Sequence, residues 1–413
     1  MSNSLLKDIP QVQTFPEAKN QISNTFTFDH RLWPLLGSHL FIDIYNSLFP
    51  LITPLIIAKY HLSLTFIGFL SALVNFSGSF MQPVYGYLSD RFKSASLVLY
   101  APFCIALACF GIALMSNLYL LILSLILLGT GFSLYHPQAT STVGLLSKNC
   151  KFNRSSFISL FVASGSLGSS ISPFFILLFI SANPASLKNL VWACIPALIA
   201  YVFLYTTYYS SDKDLSLKKV KNKNIGFKQL ITIFSQKDLV LLSSIVALRS
   251  VSILTLIAFI SQLITHSWHE SLKLAGFATL LLNAGSFFGG LSGGFISHKI
   301  SPKLVLAFSL TVSAPCLFAF LIYKSILFLA LGTFFSAWSN SVCVSMSQNI
   351  VPNKVQGFAS SLTMGFAWGA GAMIIPFVGI MADATSLNEA LKYFLPIPLL
   401  LAGFLCLLLK DNN

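Results

Sequence analysis

Acidic side chains are the scarcest chemistry in this sequence: 12 Asp and Glu stand against 25 Lys and Arg in 413 residues, and charged residues of both signs make up only 9% of the chain. Soluble domains carry nearer a quarter charged residues, so an ordinary water-soluble globule is excluded. Reactive-site signatures are missing too. There is no HExxH pair, no Walker loop, no GxGxxG in a strand-to-helix setting and no soluble segment long enough for signalling, which argues against a membrane enzyme or sensor. The seven cysteines (Cys104, Cys109, Cys150, Cys194, Cys316, Cys343 and Cys406) show no CxxC or zinc spacing, and most lie inside apolar runs as small buried hydrophobes. Neither a metal nor a cofactor is expected. The first 32 residues are polar and lack the apolar core and cleavage site of a removable signal peptide, so the first helix is expected to direct insertion.

What is abundant is apolar length. Hydrophobic residues reach 55% and the mean hydropathy is +0.79. A helix needs about 20 apolar residues to cross a bilayer. Twelve runs qualify: 36–58, 64–88, 95–116, 118–140, 155–180, 190–209, 239–264, 272–297, 303–323, 326–348, 357–382 and 391–409. Strands of a membrane barrel would be about half as long and polar on alternate residues. The pattern therefore predicts an all-α integral membrane protein of twelve transmembrane helices.

The net charge of +13 is topological. Threaded with the N-terminus inside, one side collects Lys7, Lys19, Arg31, Arg91, Lys93, Lys148, Lys151, Arg154, Lys299, Lys303, Lys354 and Lys410, together with the lysines between the sixth and seventh helices. The other side holds only Lys59, Lys188, Lys273, Lys324 and Lys392. The positive-inside rule places both termini and the central loop in the cytoplasm. Nucleic acid is not an expected partner. The lysine-rich loop either contacts anionic lipid or serves as a solvated linker.

An internal repeat divides the chain. A shift of 208 superposes Gly68-Phe69 on Gly276-Phe277, Asn75 on Asn283, Phe80 on Phe288, and the run from Gly86 to Ser89 on that from Gly294 to Ser297. A shift of 203 places Gly129-Thr130 on Gly332-Thr333, Ser133 on Ser336, Gly168 on Gly371 and Pro173 on Pro376. Two pseudo-symmetric halves of six helices follow, with an even helix number giving parallel repeats that rock around a midplane site. The expected organisation is a cytoplasmic tail (1–32), an N-terminal half (33–210), a cytoplasmic linker (211–237) and a C-terminal half (238–413).

Ionisable groups within the apolar runs are few enough to name. Asp43 is the one acid inside a long apolar run and shares a helical face with His39, at i−4, and with Asn46. A charge at that depth costs roughly 2.5 kcal/mol or more, so it marks an ion or substrate path, or else a buried pair that fixes helix packing. Asp43 is the natural proton carrier, and His39 and His136 can share its proton or bind an anion. His136 precedes Pro137, so its alternative role is to serve only the backbone carbonyls freed by the proline. The second half answers with Arg249, the one cation well inside a run, whose candidate partners are Asp43 and an anionic substrate group. Tyr45, Tyr135, Trp338 and Trp368 are the aromatics placed for a cavity. Gly165 and Gly168 permit close helix approach.

Several of these residues fall in recognisable motifs. Gly86-Tyr-Leu-Ser-Asp90-Arg91-Phe-Lys93 resembles the signature loop of the major facilitator superfamily. Ser38-His39-Leu-Phe-Ile-Asp43, Gln82-Pro83-Val-Tyr-Gly86, Leu128-Gly-Thr-Gly131 with His136-Pro137, and Ser164-Gly165-Ser-Leu-Gly168 with Pro173 resemble its fosmidomycin-resistance-type exporters. The resemblance implies a proton-driven efflux carrier for small anionic or amphiphilic compounds, a monomer in a bacterial inner membrane. The expected roles are proton coupling for Asp43, His39 and His136, substrate binding for Arg249, Asn46, Tyr45, Tyr135 and Gln82, and gating for Gly86, Asp90, Arg91, Gly165, Gly168 and Pro173, the resemblance adding helix eleven as the partner of Asp90. The loop departs from the family after Arg91, reading Lys93-Ser-Ala-Ser96, and Gln138 stands where some relatives carry an acid. A facilitator or importer of an organic anion, moving no proton, is the alternative.

Overall fold

Hydrocarbon offers no partner to a backbone amide, so a chain this apolar must satisfy its N–H and C=O groups within each segment. Helices accordingly dominate, with no strand among the described residues of the computed structural model, which are 30–82, 84–85, 98–146, 154–209, 235–297, 299–351, 359 and 362–409. Among the described residues ten helices or helix pairs are long and apolar enough to cross a membrane, and two shorter apolar ones, Leu64–Phe80 and Tyr100–Ala113, complete the expected twelve. They are numbered here as spans 1 to 12.

In the first half, span 1 comprises Leu32–Asp43 and Leu48–Tyr60, span 2 Leu64–Asn75 with a π-helical turn at Phe76–Phe80, span 3 Tyr100–Ala113, span 4 Leu118–Leu146, span 5 Arg154–Leu177 and span 6 Cys194–Tyr209. In the second, span 7 is Lys237–Gln262, span 8 Leu272–Ser297, span 9 Pro302–Tyr323 and span 10 Ile326–Ile350; span 11 includes Ala367–Ala372 and Ile375–Ala384, and span 12 Leu387–Phe394 and Pro396–Cys406.

The halves repeat one packing plan. Spans 1–5, 1–6, 2–4, 3–4 and 3–6 touch in the first half, and 7–11, 7–12, 8–10, 9–10 and 9–12 in the second. Between halves, span 2 packs on span 11, span 5 on span 8 and span 1 on span 7. The repeat is visible at single residues. A Cβ on Gly68 of span 2 would meet Ile375 O at 2.7 Å and Pro376 Cα at 2.9 Å, and the matching Gly276 of span 8 faces Leu177 and Pro173 of span 5. The pseudo-twofold thus exchanges the Gly68–Pro376 and Gly276–Pro173 contacts. Likewise Gly168 packs on the Leu40 backbone of span 1 and its counterpart Gly371 on Ala247 and Val251 of span 7.

Prolines punctuate the spans at useful places. Pro50 has no N–H and its ring crowds the preceding turn, so the helix of span 1 breaks at 44–47 and restarts at Leu48. The Ser47 N–H freed there donates to Ser172 Oγ of span 5 at 2.9 Å. Pro173 cannot donate to Ser169 O, four residues back, and Asn283 of span 8 donates to that carbonyl instead at 2.7 Å. A hydrogen bond between the halves therefore stands where a helical one is missing.

The Leu64 end of the span 2–11 contact corrects one expectation. Asp43 is not alone, because Asp383 lies in the last turn of the segment Ala367–Ala384. It accepts from Leu64 N at 2.9 Å, Thr65 N at 2.8 Å and Thr65 Oγ1 at 2.6 Å, capping the start of span 2 from the other half. A carboxylate at a helix N-terminus contributes about 0.5–1 kcal/mol when exposed, as this one is. Asp383→Ala is expected to lower the thermal unfolding midpoint in detergent, with Asp383→Asn falling between it and wild type. An unchanged midpoint in Asp383→Ala would show that the clasp contributes nothing.

Candidate functional site

The break in span 1 ends its first helical piece at Asp43, which places the carboxylate at the end of a helix beside spans 4 and 5. His39, one turn earlier, approaches it with Nε2 at 3.4 Å from Oδ2. His136 of span 4 reaches the other carboxylate oxygen, Nε2 to Oδ1 at 3.5 Å. Asp43 and His39 are 7% and 5% exposed. The two open roles of His136 thus meet a definite geometry: its ring points to Asp43, while its carbonyl accepts from Thr140 Oγ1 at 2.7 Å.

The rings around Asp43 are held from outside. His39 Nδ1 lies 2.6 Å from Phe161 O of span 5, and its ring stacks on Phe161 at 4.0 Å between centroids. A carbonyl only accepts, so Nδ1 carries hydrogen and Nε2 is the nitrogen turned to Asp43. Tyr135 sits 5.5 Å from the His39 ring and 5.6 Å from that of His136, and its hydroxyl is 2.7 Å from Ser38 Oγ. Gly165 supplies room, since a Cβ there would come within 2.7 Å of Asp43 Oδ2 and would also meet His39 Nε2.

In the second half Arg249 is 2% exposed. Its Nε donates to Ser336 O and Ser336 Oγ, both at 2.9 Å, and the guanidinium lies 5.3 Å from the Trp368 ring centroid. Among the described residues no acid pairs with it, Asp43 included, and its terminal nitrogens make no hydrogen bond to protein. Ser336 is the repeat partner of Ser133, whose hydroxyl instead donates to the Ser77 and Gly78 carbonyls. The same serine position is thus structural in one half and holds the cation in the other.

Arg249 borders a cavity of about 220 Å³ between the halves, with Ser166 and Ser169 of span 5, Asn283 and Ser286 of span 8, Asn340 of span 10 and Trp368 of span 11. Asn46 joins its edge, donating to Ser169 Oγ at 2.6 Å. Serine and asparagine on both walls with one guanidinium suit a small polar anion, and the apolar remainder (Ile253, Ile257, Leu282, Phe287) suits an organic body.

Other expected site residues lie elsewhere. The Tyr45 hydroxyl donates to Ala193 O and accepts from Ala197 N at 3.0 Å, fully buried inside the first half. Trp338 packs among Phe308, Phe334 and Phe335 rather than on the cavity. Gln82 donates to Gly78 O at 3.0 Å and lies near Gly365 of the opposite half. Gly168 and Pro173 sit at the helix contacts described above. Gly86, Asp90 and Arg91 lie outside the described residues. Ser166, Ser169, Ser336 and Asn340 were not singled out for the cavity by the sequence; a small polar residue in an apolar helix is a common and ambiguous signal.

A family model described as Major Facilitator Superfamily matches residues 35–376. The chain is 29% identical over 390 residues to the fosmidomycin resistance protein of Escherichia coli K12, covering 91% of each chain, and 26% identical over 384 residues to the uncharacterized MFS-type transporter YfnC of Bacillus subtilis 168, again 91% of each. Among solved structures, a bacterial homolog of the human lysosomal transporter Spinster, inward-facing and unoccupied, superposes with a TM-score of 0.73 at 15% identity, covering 92% of this chain and 94% of that one. The nucleoside transporter NupG gives 0.73 at 12% identity, covering 92% and 99%. At such identities the structures speak for the fold.

The placement of Tyr45 carries its own test. Tyr45→Phe leaves the Ala193 carbonyl and Ala197 amide without their hydroxyl partner, a loss of about 1–3 kcal/mol. The expected result is a lower unfolding midpoint with unchanged substrate affinity. Weakened affinity at full stability would place Tyr45 in the binding surface.

Proposed function

The chain belongs to the Major Facilitator Superfamily and is a multi-pass membrane transporter, and from that premise we propose that it exports a small anionic or amphiphilic organic compound in exchange for protons by alternating access. One observation carries this reading. Among the described residues each half buries one charged centre, of opposite sign, and the two do not pair with each other: a carboxylate between two imidazoles in the first, a guanidinium at a cavity in the second. Had Arg249 paired with Asp43, both charges would be answered internally and the bundle would have no reason to admit an ion. Left apart, Asp43 calls for a proton and Arg249 for an anion.

The roles follow from the chemistry. Asp43 takes and releases the proton, with His39 and His136 as its immediate exchange partners. Arg249 binds the anionic group through its free edge, and Asn46 adds an amide at the cavity rim through Ser169, while Tyr135 and Gln82 stand away from the cavity. Movement of one half against the other alters what solvent reaches each centre, and so links the fluxes. Gly165, Gly168 and Pro173 are the close contacts about which helices reorient, and the motif residues Gly86, Asp90 and Arg91, outside the described residues, are assigned to gating from the sequence. The lysine distribution supports cytoplasmic termini and linker in a bacterial inner membrane, with lipid around a monomer. The relative's name makes fosmidomycin the first compound to try.

The test uses the full-length protein in vesicles that are acidic inside and carry an internal pH dye. Fosmidomycin added outside is expected to drive proton efflux. Asp43→Asn should abolish that efflux while changing fosmidomycin binding less than about threefold, because the amide keeps the size but cannot cycle charge. Fosmidomycin uptake with no proton movement in wild type would establish a proton-independent facilitator instead.

Arg249 is tested by affinity. Arg249→Ala is expected to weaken binding of the anion at least tenfold, about 1.4 kcal/mol, and Arg249→Lys to recover part of it, since charge survives but the planar fork does not. Equal affinity in Arg249→Ala and wild type would reduce Arg249 to a packing residue held by Ser336 and Trp368.

A further inference from the structure

The gaps around Asp43 are the wrong length for hydrogen bonds. Charge-assisted N–H···O contacts run about 2.7–2.9 Å, whereas His39 Nε2 and His136 Nε2 stand 3.4 and 3.5 Å from the two carboxylate oxygens. Bonds of about 2.0–2.1 Å arranged tetrahedrally around one ion set neighbouring donor atoms about 3.4 Å apart. One donor atom from each of His39, Asp43 and His136 lies within 4.8 Å of the other two. We propose that these three residues form a binding site for a divalent first-row transition metal ion of the zinc class.

Three independent features support the assignment. The His39 Nδ1 hydrogen is committed to Phe161 O at 2.6 Å, which leaves the lone pair of the neutral ring on Nε2, facing Asp43. A ligating histidine ordinarily donates its second nitrogen to a carbonyl or carboxylate in just this way, and Phe161 stacking fixes the ring plane. Second, Asp43 Oδ1 is buried and accepts no hydrogen bond, although a carboxylate oxygen so placed needs a cationic or hydrogen-bonding partner. Third, Gly165 keeps the space between donors clear, because a Cβ there would lie against both His39 Nε2 and Asp43 Oδ2.

The donor set selects the ion. Two imidazoles disfavour the alkali and alkaline-earth ions, which take oxygen ligands, and suit Zn²⁺, Co²⁺, Ni²⁺ or Cu²⁺. Three protein ligands leave a fourth position for water. The spacing i, i+4 supplies two ligands from one helical face of span 1, and span 4 supplies the third from far along the chain, which is why no sequence spacing announced the site. All three ligands belong to the first half, so the site persists whichever way the halves are tilted. If the proton coupling proposed above holds, a metal ion here takes the proton's place and arrests the carrier; the site itself rests on geometry alone and is tested by binding.

Full-length protein in detergent, stripped with chelator, is titrated with Zn²⁺ by calorimetry and with Co²⁺ by visible absorption. One equivalent of Zn²⁺ per chain and intense tetrahedral Co²⁺ bands are expected. His136→Gln, which removes a ring making no other side-chain hydrogen bond among the described residues, should weaken Zn²⁺ at least tenfold and remove the bands. Gly165→Ala, with all three ligands present, should do the same by filling the gap. A variant lacking the loop histidines (His61→Gln, His266→Gln, His269→Gln) should bind as wild type does. The proposal is overturned by wild-type protein without the Co²⁺ bands, by His136→Gln binding Zn²⁺ at full affinity, or by loss of binding in the loop variant. Proton efflux measured in parallel separates this outcome from that of the coupling.

Discussion

Burying charge where water cannot follow is the constraint on which the rest of this structure depends. Asp43 has two imidazoles turned towards it, and Arg249 has a serine carbonyl, a serine hydroxyl and an indole face. These arrangements differ in kind. Around Asp43 the partners can themselves change charge, so the net charge of the centre is adjustable. Around Arg249 the partners are fixed dipoles and a ring, so its charge stays and only its free edge is available. A protein that merely needed packing would have matched the two charges to each other or replaced both with apolar side chains.

The backbone is used with the same economy. Helices hide amides from lipid, and a proline in a helix interior reopens a carbonyl that something must answer. At Pro173 the answer comes from Asn283 across the interface between halves, and at the Pro50 break the freed Ser47 amide is answered by Ser172. Asn75, the repeat partner of Asn283, donates to Ser71 O within its own span. The two halves therefore share a frame but not a bonding pattern, and the interface bond exists on one side of the pseudo-twofold only.

How much of this could be read in the sequence depends on whether a signal is local. The twelve spans, the repeat and the Asp43–His39 pair are local patterns of hydropathy, glycine spacing and helical period, and each reappears in the structure. His136 was divided between Asp43 and the backbone because nothing in a sequence says which way a side chain beside a proline turns. Tyr45 is adjacent in sequence to Asn46, which lies at the cavity edge, but the break at 44–47 turns its hydroxyl to span 6. Asp383 fell one residue beyond an apolar run drawn to 382, so its role as a cap on span 2 from the other half was hidden by a boundary and by its long-range partner.

Symmetry explains why chemistry concentrates in unequal places. Gene-level repetition supplies two copies of each packing contact, such as Gly68 on the Ile375–Pro376 backbone and Gly276 on the Leu177 and Pro173 side chains, and a glycine gives the room in each half. Polar positions carry no such demand. Position 136 is histidine where its counterpart is Ser339, and Ser339 spends its hydroxyl on Ser336 O within span 10. Ser133 bonds backbone where Ser336 receives Arg249. Divergence at these few positions left a symmetric scaffold with a carboxylate between two imidazoles in one half and a guanidinium held by serine and indole in the other.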